Sequence, residues 1–208
     1  MSNKIVKDAI ALTLITMVAG LALGAVHGIT KEPIAQQEAK AKAEAYEKVF
    51  ETASDFTVVE MTDELSASLR ESLDTEGYKA QEIEEVMEAK DDGGNVLGYA
   101  FTVVTSEGYG GDIKFSMGVQ NDGVLNGIAI LSISETAGLG MNATTPEFQA
   151  QFVGKQVDKL IYTKNGASAD NEIDALSGAT VTTNAMTNRQ NSHKLREQTA
   201  DFQAQKSK

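Results

Sequence analysis

The hydrophobic pattern opens with a long apolar stretch near the amino terminus. Residues 9–29 provide 21 positions without a formal charge, between Asp8 and Lys31. A helix rises about 1.5 Å per residue, so this stretch is long enough to cross a hydrocarbon core of about 30 Å. A cleavable secretory signal is the alternative, but its apolar region is usually about 7 to 15 residues long. We therefore expect an uncleaved, single-pass transmembrane helix.

The charges beside this stretch predict its orientation in a cell membrane. Lys4, Lys7 and the free amino terminus precede it, whereas the flank after it combines Lys31 with Glu32. Positive charges favour the cytoplasmic side of a membrane helix. We expect a cytoplasmic amino terminus and an extracytoplasmic remainder of the chain.

Helical patterns follow the apolar stretch. Residues 31–50 are rich in Ala, Glu, Lys and Gln, which are strong helix formers, and they predict a helix that leads away from the bilayer. A second helix is expected after Thr62, which is a suitable cap residue. Leu65, Leu69 and Leu73 recur at intervals of four and define its apolar face.

The middle of the chain alternates between apolar runs and turn residues. The sequence "NDG" at 121–123 separates two such runs, and these residue types favour a tight hairpin. The pattern predicts an antiparallel meander. Its expected strands lie within residues 83–89, 96–106, 113–119 and 124–134, and residues 55–61, before the second helix, also have strand character.

The carboxyl-terminal third predicts shorter elements. Residues 144–154 favour a short helix with Pro146 in its first turn, where proline is tolerated. Residues 158–163 favour a strand, and a terminal helix is expected from Thr183 onward. The whole pattern predicts an α+β fold with a transmembrane helix, an antiparallel sheet and flanking helices. We expect an anchor at 1–30, a helical connector at 31–55 and a folded domain at 56–208.

Composition narrows the chemistry that the chain can support. The chain has 208 residues, enough for one domain and an anchor, and a formal net charge of -12. This charge argues against nucleic-acid binding, which needs clustered Lys and Arg. There are no cysteines and only two histidines, far apart in sequence, so thiol chemistry is excluded and no metal site is expected. Any redox chemistry therefore requires an organic cofactor.

The segment "DALSGATVTTNAM", from Asp174 to Met186, is the strongest candidate for chemistry because it groups hydroxyl side chains around a glycine. It lacks the GxSxG pattern of serine hydrolases and the lysine of a phosphate-binding P-loop. Two interpretations remain. Small residues before a helix allow backbone amides to bind a phosphate, and the same residues also form ordinary turns and helix caps.

The sequence "DALSGAT" at Asp174–Thr180 resembles the acceptor motif of the FMN-binding domain family. In that family the final threonine carries FMN through a phosphoester bond, so the resemblance implies covalent FMN on Thr180. It also implies that a separate magnesium-dependent flavin transferase installs FMN, so the hydroxyl needs no activating base of its own. Asp174 is then the leading acid of the motif and serves the modifying enzyme.

Two earlier segments are similar to further motifs of the same family. They are "GYGGDI" at 108–113 and "ISETAGLGMN" at 133–142, which includes Ala137 where family members more often have proline. By this resemblance, the second segment flanks the isoalloxazine ring. The resemblance assigns to FMN binding the attachment residue Thr180 together with Ser177, Gly178, Ala179, Thr182, Thr183, Glu135, Thr136, Gly138, Leu139, Tyr109 and Gly110.

The anchor, the sequence "ITKEPIA" after it and the size of the domain resemble the family of G subunits of Rnf ferredoxin:NAD oxidoreductase complexes. The C subunits of sodium-pumping NADH:quinone reductases are related and usually longer. The resemblance implies an electron carrier in an ion-translocating complex, with other membrane subunits as partners. The alternative from another class is a membrane-tethered extracytoplasmic binding or assembly module without a cofactor, in which "SGAT" is only a turn.

Overall fold

The chain begins with one long helix, α1 (Ser2–Val49), in a computed structural model that describes residues 2–75, 77–157, 159–187 and 199–201. Among those residues, α1 is the one helix with the length and apolar composition of a membrane span. The predicted helix at 31–50 is the continuation of α1, which passes through Pro33 without a break. The strong helix formers after Pro33 extend it to Val49. The chain divides into two compact units, Met1–Ala41 and Lys42–Lys208.

The second unit contains an antiparallel meander in which the strand from residues 55–61 joins the four strands of the predicted meander. Its five strands lie in the sheet in the order in which they occur in the chain, and every neighbouring pair is antiparallel. The "NDG" turn connects the last two strands, which confirms the predicted hairpin. The strands are β1 (Asp55–Val58), β2 (Gln81–Lys90), β3 (Val96–Thr105), β4 (Ile113–Gln120) and β5 (Leu125–Ser132).

The helix α2 (Asp63–Thr75) lies between β1 and β2 in the chain, as its leucine spacing predicts. The amide of Leu65 donates to the hydroxyl of Thr62 at 3.3 Å, so Thr62 caps the helix. Leu65, Leu69 and Leu73 are buried. They pack into the main hydrophobic core on one face of the sheet.

Short elements follow β5. A 3₁₀ helix (Gly140–Thr144) leads into α3 (Pro146–Ala150), which is the predicted short helix. The strand β6 (Ile161–Thr163) pairs in parallel with β7 (Glu172–Asp174), a strand that the sequence pattern did not predict. The last described long element is α4 (Thr180–Thr187), which begins three residues before the expected start at Thr183. Most of the predicted terminal helix lies outside the described residues, which omit 188–198 and 202–208.

The two faces of the sheet have different packing partners. One face carries large side chains such as Phe101 and Phe115, which pack with α2, α3 and α4. The other face is lined mainly by small residues and is covered by the last turns of α1 together with Phe50, which directly follows the helix. The helix approaches closely at Gly118, where an added Cβ would lie 2.8 Å from the carbonyl oxygen of Val49. The small residues therefore set the depth at which these helical turns pack.

A polar cluster lies beside this contact. The hydroxyl of Tyr46 donates to Glu85 at 2.5 Å and lies 2.7 Å from the hydroxyl oxygen of Thr102. The ammonium group of Lys42 forms an ion pair with Glu85 at 2.9 Å. Burial alone raises the pKa of Glu85, but the hydrogen bonds from Tyr46 and Lys42 outweigh it and hold that pKa below its ordinary value. Burial raises the pKa of Tyr46, so its hydroxyl stays protonated and can donate.

Replacing Gly118 with alanine tests the close packing of α1 on the sheet. The new methyl group meets backbone rather than a flexible side chain, so the helix must shift. We expect the free energy of unfolding to fall by about 1 to 3 kcal/mol, measured by chemical denaturation of the detergent-solubilised chain. Gly93→Ala is the matched control, because the Cβ there meets the side chains of Asp91 and Asn95 in an exposed turn. Equal stability of the two variants would contradict the close contact.

The polar cluster predicts a pH-dependent contribution from Glu85. A carboxylate whose pKa is lowered by folding stabilises the folded chain above its unfolded pKa, about 4.3. That contribution is lost as the pH falls through the lower folded pKa. We expect Glu85→Gln to reduce stability at pH 7, and the difference from wild type to shrink as the pH falls below about 4.3. The exposed Glu71→Gln serves as the control; a difference at Glu85 that does not vary with pH would refute the ionic origin.

Candidate functional site

The three segments identified in the sequence meet around one pocket of about 490 Å³. One segment connects β3 to β4, the second follows β5, and the third connects β7 to α4. The pocket is thus assembled from parts of the chain that are far apart in sequence. Its lining consists of Tyr109, Glu135, Thr136, Leu139, Gly140, Gly178, Ala179, Thr180, Val181 and Thr182.

The carboxylate of Glu135 joins the first segment to the second. The backbone amide of Tyr109 donates to Glu135 Oε1 at 2.7 Å, and Glu135 is only 9% exposed. A hydrogen bond to an ionised acceptor is stronger than one between neutral groups. This contact fixes the "GYGG" loop against the end of β5. The phenol ring of Tyr109 remains 76% exposed at the rim of the pocket.

The second segment turns sharply between Thr136 and Leu139. The amide of Leu139 donates to the carbonyl of Thr136 at 3.1 Å, and Gly138 has a φ of 76°. A positive φ at the third position is the mark of a type II turn and favours glycine there. The turn directs the side chain of Leu139, which is 41% exposed, to the pocket.

Gly140 brings the second segment against the third. A Cβ at Gly140 would lie 2.6 Å from the hydroxyl oxygen of Thr182 and 2.7 Å from Glu135 Oε2. No side chain fits in this space. The 3₁₀ helix that begins at Gly140 therefore packs directly on the first turn of α4.

The third segment forms a turn that ends at the start of α4. The amide of Ala179 donates to the carbonyl of Leu176 at 3.0 Å, and the helix begins at Thr180. Gly178 lies against the second segment, where an added Cβ would be 2.9 Å from Leu139 Cδ2. The amides in the first turn of a helix have no carbonyl partner one turn earlier, and they give this end a partial positive charge. The start of α4 is therefore suited to an anion.

The hydroxyl groups of the third segment differ in accessibility. Thr180 is half-buried and lines the pocket, and Ser177 is exposed outside the pocket lining. Thr182 is 1% exposed and Thr183 is fully buried. The Thr183 hydroxyl accepts from the amide of Leu176 at 3.0 Å and donates to the carbonyl of Ala179 at 2.9 Å. Within the third segment, Thr180 is thus the hydroxyl residue that both lines the pocket and remains accessible.

The pocket lining carries little charge. Glu135 is the one carboxylic acid of the lining, and no lysine, arginine or histidine is present among these residues. An anion in this pocket would have to rely on backbone amides, since the lining offers it no cationic side chain.

Four of the predicted residues do not line the pocket: Gly110, Gly138, Ser177 and Thr183. Gly110 lies against the backbone of Ser134, where a Cβ would be 2.2 Å from the carbonyl oxygen. Gly138 shapes the turn, Ser177 is exposed and Thr183 is tied to the turn before α4. Val181 and Gly140 line the pocket but were not among the predicted residues. Gly140 lies inside the motif at 133–142 and Val181 directly follows the motif at 174–180, so the motifs themselves were the signal that could have indicated them.

The turn at Thr136–Leu139 yields a prediction about Ala137, which occupies the second position of a type II turn. Proline is favoured at that position because its ring fixes φ in advance. We expect Ala137→Pro to raise the free energy of unfolding by about 0.4 to 1 kcal/mol, mainly by restricting the unfolded chain. Gly138→Ala in the same turn is expected to destabilise, since its φ is positive. Thermal unfolding of both variants checks the turn type; a destabilised proline variant would exclude it.

Two family models match parts of this chain. The FMN-binding domain family matches residues 108–192, and the RnfG N-terminal region matches residues 1–49. The chain is 30% identical over 183 residues to the G subunit of the Na⁺-translocating ferredoxin:NAD⁺ oxidoreductase complex of Acetobacterium woodii, covering 87% of this chain and 86% of that protein. It is also 30% identical over 186 residues to the G subunit of an ion-translocating oxidoreductase complex of Methanosarcina acetivorans, covering 89% and 90%.

A solved structure gives a further likeness. The C subunit of the Na⁺-translocating NADH-quinone reductase from Parabacteroides distasonis is 19% identical, with a TM-score of 0.47, over 72% of this chain and 78% of that chain. The relatives from Acetobacterium woodii and Methanosarcina acetivorans are similar to this chain over most of their length. The chain therefore belongs to the family of G subunits of ion-translocating ferredoxin:NAD oxidoreductase complexes, and it carries the FMN-binding domain of that family.

Proposed function

We propose that this chain carries FMN in a phosphoester bond to Thr180 and serves as the electron-carrying subunit of an ion-translocating ferredoxin:NAD oxidoreductase complex. The observation that carries the proposal is the position of Thr180. It is the first residue of α4 and lines a pocket to which all three motif segments contribute. A phosphate on its hydroxyl would lie beside the positive end of the helix.

The accessibility of the hydroxyl groups supports Thr180 over its neighbours. A transferase must reach the oxygen that it modifies, and Thr182 and Thr183 are almost completely buried. The hydroxyl of Thr183 is already engaged with Leu176 and Ala179. Ser177 is reachable but does not line the pocket, so FMN attached there would start outside it.

The charge of the pocket supports a covalent rather than a freely exchanging cofactor. FMN has a phosphate dianion, and dissociable phosphate ligands are commonly held by Lys or Arg as well as by amides. The described lining offers no such cation and includes the carboxylate of Glu135. A bond to Thr180 retains the cofactor without a cationic side chain.

The shape and surface of the pocket fit a flavin ring. A volume of about 490 Å³ lies within the range of about 300 to 1,000 Å³ that small-molecule sites occupy. Tyr109, Leu139 and Val181 place exposed aromatic and aliphatic surface around the opening. Such surface suits a planar, largely apolar ring system, and Glu135 and Thr136 provide polar groups for its edge.

The division of roles follows from these residues. FMN supplies the electron-transfer chemistry when it is bound. The chain supplies the attachment oxygen of Thr180, the amides at the start of α4 and the side chains that bound the pocket. Other membrane subunits are the partners through which electrons pass between ferredoxin and NAD, and a magnesium-dependent flavin transferase is the partner for maturation.

The position of the chain in the membrane completes the proposal. Residues 9–29 contain no Asp, Glu, Lys or Arg, and such residues are what intramembrane ion pathways usually contain. We therefore assign ion translocation to partner subunits. The amino-terminal helix anchors the chain, with the amino terminus in the cytoplasm and the flavin domain on the opposite side.

Variants of Thr180 test the attachment. We expect the wild-type chain, coexpressed with a flavin transferase, to fluoresce in a denaturing gel under ultraviolet light. Thr180→Val should reduce this fluorescence at least about 100-fold, because valine keeps the branched shape but has no oxygen for the phosphoester. Thr180→Ser retains a hydroxyl and is expected to keep part of the signal. Ser177→Ala is the control and should match wild type; a fluorescent Thr180→Val band would move the attachment to another residue.

A further inference from the structure

We propose that Gln151 is a positioning residue that, together with Thr183, fixes the flavin-bearing turn at residues 175–179 from both ends. Its importance for the flavin rests on the proposed function of Thr180. We call the hydrogen bonds of Gln151 and Thr183 to the two ends of this turn the clamp. The clamp is a property of the folded chain and can be measured without a cofactor. Gln151 lies outside all three motif segments.

The upstream end of the turn is held at Asp174. The backbone amide of Asp174 donates to Gln151 Oε1 at 2.7 Å, and Gln151 Nε2 approaches the carbonyl oxygen of Asp174 at 3.5 Å. A primary carboxamide offers one acceptor and donors, as a peptide group does. Asp174 ends β7, which pairs with β6. The side chain of Gln151 therefore hydrogen-bonds to the backbone amide and carbonyl of Asp174, as the backbone of a neighbouring strand would.

Gln151 is supplied by a rigid part of the fold. It directly follows α3 and lies between Phe148 and Phe152, which are both buried in the main core. The backbone amide of Gln151 donates to the backbone carbonyl of Phe148 at 3.3 Å. The side chain of Gln149 in the same helix donates to the carbonyl of Ala143 at 3.2 Å, which connects α3 to the 3₁₀ helix beside the pocket. Gln151, which holds the upstream end of the turn, is thus connected to the hydrophobic core and to the 3₁₀ helix beside the pocket.

The downstream end of the turn is held by the buried hydroxyl of Thr183. It accepts from the amide of Leu176 and donates to the carbonyl of Ala179, so it connects both sides of the turn to α4. The carboxylate of Asp174 accepts from the amide of Ala167 at 2.6 Å, which secures Asp174 from a third direction. Residues 175–179 therefore have little freedom relative to α4.

This restraint matters because the position of the backbone at Thr180 would determine the position of an attached flavin. Functional groups act reliably when supporting contacts hold them within about 0.5 Å of their working geometry. The bond to Thr180 alone leaves rotation about several single bonds. The clamp removes the backbone part of that freedom, and the pocket walls restrict the rest.

Hydrogen exchange of the full-length, unmodified chain in detergent tests the clamp directly. We expect Gln151→Ala to speed exchange at the Asp174 amide and across residues 175–179 by about tenfold, since the bond to Gln151 Oε1 is lost. Gln156→Ala is the matched control, because that glutamine donates to the carbonyl of Asp122 at 2.9 Å in the β4–β5 hairpin. Unchanged exchange at Asp174 in Gln151→Ala would overturn the proposal.

The flavin-loaded chain provides a second readout that a purely stabilising role would not change. With equal flavin content, and well below the unfolding temperature, Gln151→Ala and Thr183→Val should both lower the fluorescence anisotropy of the flavin. A lower melting temperature with unchanged anisotropy would overturn the positioning role. A wild-type chain that never acquires flavin would instead refute the function proposed for Thr180, while the exchange result would still decide the clamp.

Discussion

The hydrogen bond from the Tyr109 amide to the Glu135 carboxylate is the contact on which the site depends. It joins the loop after β3 to the segment after β5, and the space around Glu135 is so confined that Gly140 has no room for a side chain. The same confined space includes the hydroxyl of Thr182 in α4. The carboxylate joins two of the three distant segments, and the close packing at Gly140 brings in the third. The meander positions the first two segments, which follow β3 and β5, and the third segment follows β7 of the smaller sheet.

In this pocket, the groups suited to binding a flavin differ from the group that we propose to retain it. The pocket offers apolar surface at Leu139 and Val181 and amides at the start of α4, but its described lining has no cationic side chain for a phosphate. The covalent bond that we propose to Thr180 would resolve this mismatch. The Gln151 and Thr183 contacts restrain the turn that leads directly into the proposed attachment residue, so a single bond there would be enough to define a position.

Much of the fold follows from local patterns in the sequence. The leucines of α2 and the turn at 121–123 were predictable because side-chain periodicity and turn chemistry act over a few residues. The strand β7 was not, since it has three residues and depends on parallel pairing with β6. Motif resemblance indicated Thr180 and Glu135, whereas the contact between Gln151 and Asp174 joins positions 23 residues apart and leaves no periodic signal.

Mass spectrometry of the natively produced chain tests the central claim most directly. After proteolysis, the account predicts that the peptide containing Thr180 carries the added mass of FMN less one water, and that fragmentation locates it on that threonine. Finding every hydroxyl residue from Ser177 to Thr183 unmodified in chain isolated from its active complex would contradict the account.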